Sequence, residues 1–319
     1  MISFLYHYLF LLSWERSGSA AYSNQFEQNK SRSVDPCGNE KLNEAILTRS
    51  QIADTNSNFM KKLLILIALM LLGNNGFAQD KLYLILEFMK VDNEQEAAYM
   101  ETEAFWQKIQ EQRVKNGDIL GWDLWSLQPG GEDQGYQYLT VTLYNDPLKM
   151  MSNAGNFEAA LKAAYPEMSD DDLNKKFENT ARSRDLAKRV YLEQIATTKG
   201  NFEMPLGTVA GINLMKVSNG DYEKYEKFET EIFQPMHQKE VDAGIRGNWG
   251  LLRYILPVGS DVYASHITVD MYKDYNQLFN VGATDGPAMS KDQIRKIQEG
   301  LDSRDLKFKY MATLIRKAR

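Results

Sequence analysis

Apolar positions in this chain fall in short alternating runs, separated by longer stretches with helical spacing, and the series occurs twice. Within Lys81–Val91 (KLYLILEFMKV), Leu82–Lys90 alternates around β-forming residues and predicts a strand. A helix is expected over Glu94–Lys115 and is stopped by Gly117, a glycine just past a helix end. Strands follow at Gly121–Leu127, closed by Pro129-Gly130-Gly131, and at Tyr136–Tyr144. Asp146-Pro147 reads as an N-cap with proline at the first helical position, and Ser169 opens a further helix. Lys188–Ile195 is the last strand. The second series predicts strands at Gly207–Val217, Trp249–Leu256, Val262–Tyr272 and Lys307–Ile315. Its long helix spans Asp221–Val241 before Gly244. Two more start at Asp274 and at Ser290, where Gln293 has capping-box spacing.

Residue identities tie the two series together. Both first strands end in Met-Lys-Val, and an offset of 126 pairs Tyr99 with Tyr225 and Glu103 with Glu229. The same offset pairs Gln112 with Gln238, Ile119 with Ile245 and Gly121 with Gly247. Ser183-Arg184-Asp185-Leu186 returns as Ser303-Arg304-Asp305-Leu306. Order is kept and the offsets drift only through loops, which indicates a tandem duplication. The fold class expected is α+β: two ferredoxin-like βαββαβ modules, over 80–200 and 206–317.

Two such modules in one chain, each with Tyr-x3-Glu on its long helix, resemble the dimeric α+β barrel superfamily. That group includes antibiotic-biosynthesis-monooxygenase-like, EthD-like and NIPSNAP-like domains and haem-binding chlorite-dismutase-like proteins. The resemblance covers nearly all of 80–317 and implies two sheets facing each other as an intrachain barrel. For function it implies anything from oxygenases to proteins without known activity.

Period-two alternation sorts the strand faces. Leu139, Val141 and Leu143, with Ile267, Val269 and Met271, are expected beneath the helices, as are Leu82, Leu84, Leu86 and Phe88. Tyr138, Thr140, Thr142 and Tyr144 would then line the space between sheets, with His266, Thr268, Asp270 and Tyr272. Glu87 and its counterpart Asn213 join them. His266, Asp270 and Glu87 are the candidate proton-transfer groups. Tyr138, Tyr144, Tyr272, Asn213, Arg253, Glu229 and His237 are the candidate ligand-binding residues. His266 and Asp270 lie about 13 Å apart along a strand, so they form no dyad. The Trp106, Trp122, Trp125 and Trp249 rings serve as core, or as a stacking wall for a planar ligand. The same polar lining equally suits a hydrogen-bonded interior without a ligand.

Met60-Lys61-Lys62, the apolar run Leu63–Leu72 and a small residue at Ala78 have the form of a secretory signal peptide over 60–78. The run is shorter than the roughly 20 residues a bilayer span needs. Met60 is therefore the expected start, residues 1–59 an extension that is non-native or disordered, and the product exported to the periplasm or exterior. The chain has 37 Lys and Arg against 43 Asp and Glu and no basic cluster, so nucleic acid is not an expected partner. Its one cysteine, Cys37, precedes the signal segment. No dinucleotide fingerprint, P-loop, zincin or nucleophile-elbow motif occurs. The expectation is a monomeric, soluble binding or interaction protein with a small organic ligand, no metal and no cofactor. The alternatives are a cofactor-independent oxygenase or isomerase acting on a small organic molecule, and a haem-binding protein.

Overall fold

The computed structural model describes residues 81–152, 155–280 and 290–319. The expected extension and signal segment lie outside the described residues. The strands are β1 (Tyr83–Lys90), β2 (Gly121–Gln128), β3 (Tyr138–Tyr144), β4 (Asp185–Thr197), β5 (Val209–Lys216), β6 (Asn248–Leu256), β7 (His266–Tyr272) and β8 (Asp305–Ala318). They close into one antiparallel barrel in the order β1-β3-β2-β8-β5-β7-β6-β4. One half contributes the run β4-β1-β3-β2 and the other β8-β5-β7-β6, joined through the β2–β8 and β4–β6 ladders.

The first half carries α1 (Glu96–Lys115), α2 (Pro147–Ser152), α3 (Phe157–Ala164) and α4 (Asp170–Asn179). The second carries α5 (Tyr222–Phe228), α6 (Gln234–Asp242), α7 (Tyr275–Phe279) and α8 (Lys291–Asp302). The caps form where the sequence places them. Asp146 accepts from the Leu148 N–H at 2.7 Å, Asp274 from that of Gln277 at 2.8 Å, and Ser290 and Gln293 make a reciprocal capping box. Helix α3, capped by Asn156, was not expected. The final strands begin at Asp185 and Asp305, so the Ser-Arg-Asp-Leu motifs turn the chain directly into them.

The face assignment is reversed. Leu84, Leu86, Phe88 and Leu139 meet Ile212, Leu214, Ile267 and Leu314 of the other half in one apolar interior. Tyr83, Ile85 and Tyr138 instead pack with Tyr99 and Met100 beneath α1. The physical reason is pairing. A closed barrel centre offers polar groups few partners, and unpaired buried ones are costly. The helices bring Tyr, Glu and nearby Arg side chains that can satisfy the polar strand face.

Helices α5 and α6 form one run interrupted by a π segment, Glu229–Phe233, in which the Gln234 N–H bonds the Glu229 carbonyl. Its counterpart α1 is uninterrupted. The strand register reveals why. Trp122 stands opposite Thr142 and Trp249 opposite Asp270. Trp122 and Trp249 are thus equivalent and differ by 127, whereas Glu103 and Glu229 differ by 126. The second half has one extra residue, and the π turn absorbs it. Three expected equivalences beyond that point, including Ile119 with Ile245 and Gly121 with Gly247, therefore shift by one. His237 occupies the place of Gln110.

Candidate functional site

Each half buries a tyrosine and a glutamate between its long helix and the sheet, with a half-buried arginine near them. In the first half, Tyr99 and Glu103 lie one turn apart on α1, and Arg184 arrives from the turn before β4. The Arg184 guanidinium donates to Glu103 and lies 5.3 Å from the Trp106 ring. Burial raises the Glu103 carboxyl, opposed by Arg184 and Tyr99.

The second half contains the same three residue types in a different state. Glu229 is 3 % exposed and starts the π segment, yet it makes no ion pair among the described residues. Arg304 turns one Nη to the Leu301 carbonyl at 3.1 Å. Its Nε and the buried Tyr225 hydroxyl form no well-made hydrogen bond among the described residues. The three groups still feel each other. Burial raises the Glu229 carboxyl, while Tyr225, Arg304 and His237 pull it down. Burial and then Glu229 raise the Tyr225 phenol.

Around this group stand most of the second-half candidates. Arg246 donates to Asp270 and, at 2.8 Å, to Glu240, and its guanidinium lies 5.3 Å from the Tyr272 ring. Asn213 donates to Asp270 at 2.9 Å and to the Thr268 hydroxyl at 3.1 Å. The His237 Nδ1 lies 3.2 Å from Glu240, with its ring centred 5.2 Å from that of Trp249. The hydrogen bond with His237 and the Arg246 charge, against the effect of burial, hold Glu240 down at about 2. Burial pushes Tyr272 up to about 12.

His266 is fully buried, and both of its ring nitrogens are engaged. Nδ1 is 3.0 Å from the Ser265 hydroxyl and Nε2 is 3.1 Å from Glu226. Tyr222 and Tyr225 meet its ring edge-on. Burial lowers its pKa, with Glu226 opposing. Arg253 ties the same Glu226, at 3.0 Å, to Glu193 on β4, at 2.8 Å.

The remaining candidates belong to the first half. Glu87 pairs with Arg189 at 2.8 Å and accepts from Thr140 at 3.3 Å. Tyr138 lies 4.5 Å from the Tyr99 ring, and Tyr144 is buried near Arg113. All ten candidates lie on the helix-facing side of the barrel wall rather than inside it. They divide between the halves, so His266, Asp270 and Glu87 form no single constellation.

Sequence reasoning missed Glu226, Glu240, Arg246 and Arg304 as partners. Arg304 had a signal, since Tyr-x3-Glu and Ser-Arg-Asp-Leu recur together. Among the described residues no group of His, Cys, Asp and Glu is arranged to hold a metal, and no helix is long and apolar enough to cross a membrane.

No family model and no curated protein matches this sequence. Solved structures do match its fold. A candidate monooxygenase from Fusobacterium nucleatum aligns over 75% of this chain and 94% of its own, with 12% identity and a TM-score of 0.46. An anthrone oxidase-like protein aligns over 75% and 93%, with 8% identity and a TM-score of 0.45. A haem-binding protein from Thermus thermophilus aligns over 74% and 91%, with 10% identity and a TM-score of 0.39. These neighbours belong to the dimeric α+β barrel superfamily. Their descriptions as enzymes and haem binders correct two expectations, a non-catalytic binding or interaction protein and a chain without a cofactor. At these identities and scores no residue role passes from them to this chain.

Proposed function

We propose that the second half of the barrel is an enzyme site that moves a proton on a small oxygenated organic molecule. The carrying observation is Glu229, a buried carboxylate at the start of the π segment that makes no ion pair among the described residues. Its twin Glu103 is neutralised by Arg184. Burial raises the Glu229 carboxyl and so makes its carboxylate a stronger base, the property a general base needs. Its carboxylate takes the proton as a substrate C–H bond breaks. The electron pair passes to the conjugated carbonyl oxygen, and the Arg304 guanidinium stabilises the enolate. Returning the proton at another carbon completes an isomerisation, and dioxygen as co-reactant would make the reaction an oxygenation. The same reading takes the halves as tandem ferredoxin-like modules and the chain as exported through residues 60–78.

Anthrone in deuterated buffer is a suitable probe, with methylene exchange followed by NMR and oxygen consumption followed in parallel. The expected result is accelerated exchange that slows roughly 10²- to 10⁴-fold in Glu229→Gln. Equal rates in the wild type and this variant would overturn the assignment.

His237 supports a second reading, haem binding. Its Nδ1 faces Glu240, and its Nε2 has no hydrogen-bond partner among the described residues. Iron-ligating histidines commonly hold Nδ1–H against a carboxylate in this way. His266 does not fit, because both its nitrogens are engaged. Haem bound at His237 would supply redox chemistry at iron, while Glu240 orients the ring and increases its basicity. A Soret band on haem titration that is lost in His237→Ala is the expected result, and a wild type without the band excludes it.

A further inference from the structure

The interior end of the barrel holds a second cluster that the helix-side site does not use. Lys188 stands opposite Phe88 in the β1–β4 ladder and shares its inward face. It makes no ion pair or hydrogen bond among the described residues, and its amine lies 5.9 Å from the Tyr263 ring. Tyr254 is 4 % exposed, points into the same interior cluster and leaves its hydroxyl without a partner. Beside it, the Tyr136 and Tyr310 hydroxyls are 2.6 Å apart. Phe308 continues the aromatic wall 4.4 Å from Tyr310. Tyr263, half exposed, reaches across the mouth and donates to the Lys307 carbonyl on β8 at 2.9 Å.

We infer that this mouth is a binding site for a small aromatic carboxylate. A half-buried ammonium group without an acceptor leaves its desolvation uncompensated, and a carboxylate supplies the missing partner. Among the described residues no carboxylate pairs with Lys188, and desolvation lowers its pKa. Tyrosine and phenylalanine faces provide the wall for a planar ring. The site lies on the opposite side of the barrel wall from Glu229, so it stands or falls independently of the reaction proposed there.

Benzoate is the probe, titrated into the protein by calorimetry while the tyrosine ring resonances are followed by NMR. Benzoate is expected to bind, whereas benzylamine, of similar size and opposite charge, is not. Lys188→Met should weaken benzoate at least tenfold, and Lys188→Arg should retain it. Glu229→Gln should leave benzoate affinity unchanged. Unaltered ring spectra elsewhere in Lys188→Met establish that the barrel is intact. Wild-type protein that does not bind benzoate, or binding that survives Lys188→Met, would overturn the site. Acetate binding as tightly as benzoate would overturn its aromatic specificity.

Discussion

Glu103 and Glu229 occupy the same turn of equivalent helices, yet among the described residues Glu103 forms an ion pair with the arginine of its own half and Glu229 forms none. This difference gives opposite expectations for the same substitution. Glu103→Gln strands Arg184 and should cost about 2 kcal/mol, the scale of a charge-assisted hydrogen bond. Glu229→Gln breaks no ion pair. The native-state pKa of Glu229 is raised, so its contribution to stability falls as pH climbs from about 4.5 through that value. Glutamine removes the fall, and the variant should be at least as stable as wild type at pH 7. Thermal denaturation of both variants at pH 5 and pH 7 tests the contrast.

His266 should produce an acid limb. Burial holds its pKa below the ordinary 6.5, against the pull of Glu226 and with Arg253 assisting. The unfolded chain therefore binds the proton more readily, and stability declines as pH falls below about 6.5. His266→Gln, which can still bond Ser265 or Glu226, should flatten the stability–pH curve between pH 6.5 and 5. An unchanged slope in that interval would assign the limb to other groups.

Arg246 joins Asp270 and Glu240 and is itself 7 % exposed as a side chain. Arg246→Met leaves the half-buried Asp270 without its cation and should destabilise by about 3 kcal/mol. Glu240 should also titrate closer to the ordinary carboxylate value, because one of the charges holding it near 2 is gone. Carbonyl NMR of Glu240 between pH 2 and 5 reads this second effect separately from stability.

Gly300 on α8 lies against the π segment. A Cβ there would sit 2.9 Å from Phe233 Cε2 and 3.2 Å from Cζ. Gly300→Ala should therefore cost roughly 1–3 kcal/mol through overpacking. It should also displace Phe233 and with it the turn that begins at Glu229. The expected signature is a lower melting temperature together with slower anthrone exchange.

The helix caps and the strand identities were readable from spacing and residue type, because capping and β-propensity are local. The facing of the strands was not. Alternation separates Leu139 from Tyr138, but both strand faces are covered, one by the opposite sheet and one by α1. Nothing local in the sequence says which cover each face meets. The π segment left a faint trace, since Gly117 and Gly244 differ by 127 while the tyrosines before them differ by 126. The pairing of Glu103 with Arg184 spans 81 residues and becomes visible only once the helix and the last strand are adjacent.

The single inserted residue at Glu229–Phe233 has a consequence for evolution. A barrel assembled from two identical subunits would receive every insertion twice, at symmetry-related places. With both halves on one polypeptide, an insertion can change one half while the other keeps its ion pair and supports the scaffold.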